Sequence, residues 1–204
     1  AIGLNVHSVI DTTTAEKPSE LKSILFLFPR AKVNAKFFPT CDPIRLKGGG
    51  PKACPSGSKL GQGTALADAR PLVNPVHATV TMFNGKPRNG NPVFLFFAQA
   101  TEVSVDILLQ GELKRASGRY GYRLEIPFPR IPTLPGQPDA AIHEIDVNVA
   151  ATTRRKGKRV YLLQAPTSCP SGGFPFQTTF SFYDDQRLTT NSAISCTLTA
   201  KGSA

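Results

Sequence analysis

Apolar and polar residues alternate along much of the chain, and the alternation predicts strands. The clearest case is Phe174-Pro-Phe176-Gln-Thr178-Thr-Phe180-Ser-Phe182, where four aromatic residues share one face and Gln177, Thr179 and Ser181 take the other. Successive strand residues point to opposite faces, so this is the pattern of a half-buried strand. Val103, Val105, Ile107 and Leu109 stand opposite Glu102, Ser104 and Asp106 in the same way. So do Tyr120, Tyr122, Leu124, Ile126 and Phe128 against Arg123 and Glu125. Both segments predict antiparallel strands with one wet face.

Further strands are expected near Leu4 to Ile10, Leu21 to Phe28, Ala65 to Val73, Val76 to Phe83 and Val93 to Ala98. The rest fall near His143 to Ala150, Arg159 to Gln164 and Ser195 to Ala200. Asn84-Gly85, Asn89-Gly90, Ser117-Gly118, Lys156-Gly157 and Asp184-Asp185 carry turn chemistry between them. Helix is expected only as a scrap: Asp42 as N-cap, Pro43 at the first position, one turn over Ile44 to Lys47, then the Gly48-Gly49-Gly50 stop. The stretch from Ile131 to Pro138 reads as a surface loop.

About eleven strands without a 3.6-residue period predict an all-β fold, a mainly antiparallel two-sheet sandwich or jelly roll with minimal helix. A single domain over residues 1–204 is expected, with 1–20 forming an N-terminal strand and hinge. That strand either joins the domain's own sheet or pairs with a neighbour's edge, a route to self-association. The longest uninterrupted apolar run, Val93 to Ala98, is six residues, far below the roughly 18 that a membrane-spanning helix needs.

Charge adds a class of partner. The chain carries 24 Lys+Arg against 14 Asp+Glu, a formal +10, which favours polyanions. Arg154, Arg155, Lys156, Lys158 and Arg159 crowd around Gly157 at an expected hairpin tip and are the candidate polyanion-binding residues. No recognised nucleic-acid-binding pattern accompanies them, so an anionic cell-envelope polymer is the expected partner. A solvated turn that blunts a sheet edge is the alternative.

The four cysteines, Cys41, Cys54, Cys169 and Cys196, form no C-x2-C pair, and the three histidines are scattered, which disfavours zinc. Three disulfide connectivities are open. Closing the nearer pairs contributes about 3 to 3.5 kcal/mol each in the chain-entropy model; four buried thiols in a reducing compartment are the alternative. Disulfides place the protein outside the cytoplasm, secreted or at the cell surface. The chain begins at Ala1, and an exported chain is expected to have shed its signal peptide.

Cys41-Asp-Pro is followed by Gly50-Pro-Lys-Ala-Cys54-Pro-Ser-Gly-Ser-Lys-Leu-Gly61-Gln-Gly63-Thr-Ala. This resembles a group of exported proteins common in actinobacteria that share a Cys and, about a dozen residues on, C-P-x-G-S-K-x-G-x-G-T-A. Phe83-Asn-Gly85, Tyr120-Gly-Tyr122 and Tyr161-Leu-Leu-Gln-Ala-Pro166-Thr-Ser-Cys169-Pro are similar to the same group. The likeness runs from about Leu21 to Cys196. It implies export, two local disulfides and a β-rich fold, and it brings no catalytic residues.

Catalytic patterns are incomplete. Gly57-Ser-Lys-Leu-Gly61-Gln-Gly63-Thr is not a phosphate loop, because Lys59 precedes the glycine pair and a strand follows; it reads as tight turns entering a strand. No G-x-S-x-G elbow is present. His77 alternates with Thr79 and Thr81 on a solvent face, and His143 shares parity with Ile145 and Val147. Glu144, Asp146 and Asn148 share one strand face and supply the weak acid candidates for a glycan or ester hydrolase; Asp184-Asp185 occupies a turn. No cofactor or metal is expected. The leading expectation is therefore an exported, non-enzymatic binding or structural module. A hydrolase and a carrier of a small apolar ligand between the sheets are the alternatives, the carrier requiring a cavity.

Overall fold

The computed structural model describes residues 2–14 and 16–195. In chain order the strands are β1 (Leu4–Val9), β2 (Leu21–Phe28), β3 (Lys32–Val33), β4 (Lys59–Ala69), β5 (Val73–Arg88), β6 (Asn91–Ala100) and β7 (Asp106–Arg115). They continue with β8 (Tyr122–Pro127), β9 (Ala141–Val149), β10 (Thr152–Arg155), β11 (Lys158–Tyr161), β12 (Leu163–Gln164), β13 (Phe174–Phe182) and β14 (Arg187–Ile194). One short helix, α1 (Pro43–Gly49), lies between β3 and β4.

The fold is all-β. Ten strands form one antiparallel sheet in the order β1-β9-β4-β5-β6-β7-β8-β2-β13-β14, and β10–β11 and β12–β3 make two small extra sheets. The large sheet curls until its two halves face each other: Ile142 from β9 packs with Ile24 of β2 and Phe180 and Phe182 of β13 in one buried cluster. A single rolled sheet thus supplies the two facing layers of a sandwich.

At β4 glycine lets two strands approach closely. Gly61 faces Val149 and Gly63 faces Val147 across the β4–β9 ladder. A Cβ at Gly63 would overlap the carbonyl oxygen of Asp146, and one at Gly61 that of Asn148. Strand glycines mark such close backbone approaches and tight bends. These two residues therefore lie inside a strand and not in turns leading to it.

The inner face of the roll is one cluster that includes Leu60, Val80, Met82, Phe94, Leu109, Leu113, Leu124, Ile126, Val147 and Val149. The outer face is partly covered. Cys41, Leu46, Phe83, Val93, Leu95 and Phe97 form a second cluster, because the segment carrying α1 lies on β5 and β6. The unbroken run Val93 to Ala98 follows directly: Phe94, Phe96 and Ala98 face inward, while Val93, Leu95 and Phe97 lie under the helix. The Asp42 carboxylate caps α1 by accepting from the Ile44 and Arg45 N–H groups at 2.8 and 3.2 Å. A Cys41–Cys54 disulfide, 13 residues apart with Cα atoms 5.1 Å apart, closes the segment.

Asn84-Gly85 is not a turn. Both residues lie within β5, and Asn84 is buried, its amide donating to the carbonyls of Ala35, Phe38 and Pro39 at 3.1, 3.0 and 3.2 Å. A buried amide with no backbone turn to make anchors the covering segment instead. The β5–β6 reversal falls at Asn89-Gly90, both with positive φ (50° and 78°), which is the type I′ geometry that Asn-Gly favours. Three strand expectations shift. Glu102–Val105 is the connection before β7, which begins at Asp106. Arg70-Pro71-Leu72 separates β4 from β5, where one strand is expected through Val73. The last strand is β14 at Arg187–Ile194, whereas of the expected Ser195 to Ala200 all but Ser195 lies outside the described residues.

Candidate ligand-binding site

The rolled sheet is not filled. A cavity of about 180 Å³ runs along its inner face, and every side chain lining it is apolar. Leu4 and Val6 of β1, Ala65 of β4, Val80 and Met82 of β5, Phe96 and Ala98 of β6, Ile107 and Leu109 of β7, and Phe26 and Phe28 of β2 are among them. On the inner rows Gly61, Gly63, Ala65 and Ala67 of β4 pair with Val149, Val147, Ile145 and Ile142. Of these four small residues Ala65 lines the cavity, and it presents only a methyl group there.

Strand direction alternates at every step, so loops 29–58, 89–90, 116–121 and 150–173 share one end of the sheet, and loops 10–20, 70–72, 101–105, 128–140 and 183–186 share the other. The charges divide between these ends. The first set of loops carries Arg30, Lys32, Lys36, Arg119 and the hairpin cations, with Asp42 its only acidic residue. The second carries Asp11, Glu16, Glu20, Glu102, Asp139, Asp184 and Asp185 against Lys17, Arg70 and Arg130. This polarity is invisible in the net charge.

At the cationic end lies an open groove of about 710 Å³, lined by Pro29, Arg30, Arg119, Pro166, Ser168, Pro170 to Pro175 and Asn191 to Ala193, among which the two arginines are the charged residues. Arg119 donates to the Tyr120 hydroxyl at 2.8 Å and lies over its ring, 5.0 Å from the centroid. Among the described residues neither arginine is paired with a carboxylate.

The five hairpin cations are brought together. Arg154 faces Arg159 and Arg155 faces Lys158 across β10–β11, with Lys156-Gly157 as the turn at φ 48° and 75°. All five are exposed. Arg155 lies over the Phe37 ring at 4.6 Å and Lys36 over the same ring at 5.2 Å. Like charges directly opposite one another destabilise a ladder, so this hairpin holds its cations at a cost.

The acid candidates are not brought into a cleft. Asp146 accepts from the Asn5 amide at 2.7 Å, and Glu144 bonds the His7 ring at 2.9 Å, both across the β1–β9 pair. Neither the groove nor the cavity is lined by a carboxylate. Among the described residues no three His, Cys, Asp or Glu side chains cluster as metal ligands, and no helix is long and apolar enough to cross a membrane. His77 is a solvent-side residue bonded to Glu102 at 2.6 Å. A register shift between Leu66 and Ala67 turns Ile142, not His143, toward the cavity. Cys169 is disulfide-bonded; Cys196 lies outside the described residues.

At the acidic end three carboxyls are held below their ordinary values. Burial pushes Asp68 upward, but hydrogen bonds from the Arg70 guanidinium and backbone N–H, with the charges of Arg70 and Lys17, outweigh it. The His77 ring and N–H bonds lower Glu102, and the Ser19 hydroxyl and Gln186 N–H lower Asp184.

The sequence raised a cavity between the sheets as a requirement of the carrier reading but assigned none of its lining residues, and it gave no sign of the groove. Ala65, a small residue on an inner row, is the local trace of the cavity. Compared with protein-family models, with curated proteins and with solved structures, the chain matches none.

Proposed function

We propose that the protein is an exported binding module, rather than an enzyme, that holds a small apolar ligand inside its rolled sheet. The wholly apolar cavity of about 180 Å³ carries this reading. An apolar void of about 150 Å³ stays dry and takes up benzene-sized molecules, because water there has no hydrogen-bond partners. Such a void also forgoes packing energy, so a well-packed interior does not keep one without consequence. The Cys41–Cys54 disulfide supports export, since disulfides persist in oxidising compartments. Titrating the full chain with toluene and 1-octanol by calorimetry tests it: saturable binding at one site is expected, and heats indistinguishable from buffer would refute the reading.

A second reading is adhesion to an anionic envelope polymer through the cationic end, favoured by the five exposed hairpin cations, which have no carboxylate partner among the described residues. Retention on purified cell envelope should fall as salt rises, because exposed charges are screened within about 10 Å at 0.1 M. It should fall equally when Arg154, Arg155, Lys156, Lys158 and Arg159 are replaced by Ser. Retention unchanged by both would remove this reading.

A further inference from the structure

The cavity and the arginine groove are joined by the chain itself. Phe28 lines the cavity and Pro29 and Arg30 line the groove; Leu163 lines the cavity and Pro166 the groove; Phe176 lines the cavity and Phe174 and Pro175 the groove. Three separate segments thus pass from one lining to the other within three residues. Arg30 also continues the period-two series Ile24, Phe26, Phe28 of inward residues, placing a cation where that apolar stripe ends.

The two arginines are positioned by a close contact between their loops. Gly121 donates its N–H to the Phe28 carbonyl at 2.9 Å. A Cβ at Gly121 would stand 2.6 Å from the Arg30 nitrogen and 2.5 Å from its Cα. Only glycine lets the strand leaving Phe28 lie this tightly on the loop that carries Arg119. The result is two guanidinium groups, unpaired with carboxylates among the described residues, on loops that continue from strands lining a wholly apolar void.

We infer that the ligand is a single-chain amphiphile with an anionic headgroup, its alkyl tail in the apolar cavity and its headgroup in the groove on Arg30 and Arg119. The inference rests on the cavity reading above and names the ligand class for that site. The guanidinium fork matches carboxylate and phosphate oxygens in paired hydrogen bonds, and the cationic loops around it raise the local concentration of anions. A tail of modest length suits a volume of about 180 Å³. Its burial supplies affinity, while the arginines supply selection for charge.

The experiment uses calorimetric titration of the full chain with octanoate, octyl phosphate, 1-octanol and acetate. Octanoate or octyl phosphate is expected to bind about tenfold more tightly than octanol, one charge-assisted pair being about 1.5 kcal/mol or more. Their relative affinities tell which headgroup is preferred. Arg30→Gln and Arg119→Gln should each weaken the anionic ligand about tenfold and leave octanol unchanged, and raising the salt should shrink the gap in the native chain. Acetate should not bind measurably. Equal binding of octanoate and octanol, insensitive to salt, would overturn the headgroup assignment and leave the cavity reading standing. Acetate binding as tightly as octanoate would overturn the amphiphile, marking a bare anion site. Failure of octanol and octanoate alike would sink both.

Discussion

Replacing Ala65 with leucine places three carbon atoms into the void that Ala65 lines. Ala65 lies between Ala78 of β5 and Ile145 of β9 on the inner rows and lines the cavity, so a longer side chain has room. An empty volume of about 180 Å³ forgoes about 4 kcal/mol at roughly 24 cal/mol per Å³. Three added methylene-sized groups at about 0.8 kcal/mol each recover about 2 kcal/mol. Urea unfolding with and without toluene reads both effects. In the native chain, toluene at a hundred times its dissociation constant should add about 2.7 kcal/mol. In Ala65→Leu the ligand-free stability should rise by about 2 kcal/mol and the toluene increment should vanish. A variant destabilised by 1 kcal/mol or more, as overpacking predicts, and still stabilised by toluene would refute the claim that this wall bounds a ligand-sized void.

Gly63→Ala should lower stability by about 2 to 4 kcal/mol, because the added methyl meets backbone atoms of Asp146 and Val147 and the β4–β9 ladder must part, losing hydrogen bonds worth about 1 kcal/mol each; urea midpoints check it. Asn84→Ala should cost a similar amount, about 2 to 4 kcal/mol, since three carbonyls of the covering segment lose their shared donor, and protease cleavage within 35–58 should accelerate. Acid should weaken the fold through the three lowered carboxyls. Their stabilisation is complete above the unfolded values of 3.8 for Asp68 and Asp184 and 4.5 for Glu102, and is lost as pH falls below these through the lower folded values. Unfolding midpoints between pH 6 and pH 2 should therefore drop steadily in the native chain and drop less in Asp68→Asn.

The strands at Tyr122–Pro127 and Phe174–Phe182 were legible from the chain because period-two alternation is a local record of which face is wet. So were the α1 cap and the Asn89-Gly90 and Lys156-Gly157 turns, where φ > 0 is a demand on single residues. The charge of the hairpin cations was plain as well. Other elements needed the partner across the sheet. Asn84-Gly85 carries turn chemistry, yet it is strand, because the amide finds three carbonyls some 45 residues away in sequence. The run Val93 to Ala98 reads as a buried strand, but what buries its outer face, α1, is set only by tertiary packing. Gly61 and Gly63 look the same whether they serve a turn or a close approach between two strands.

Local sequence thus determined the fold class, the strand-rich architecture and the basic character of the chain, since backbone period, turn residues and composition act over a few residues at a time. Tertiary structure alone decided that one sheet rolls upon itself, that Ala65 of β4 faces a void, that opposite charges collect at opposite ends, and that Arg30 and Arg119 share a groove. Curl, cavity and groove depend on distances between residues far apart in the chain, and those distances exist only once the inner faces have packed.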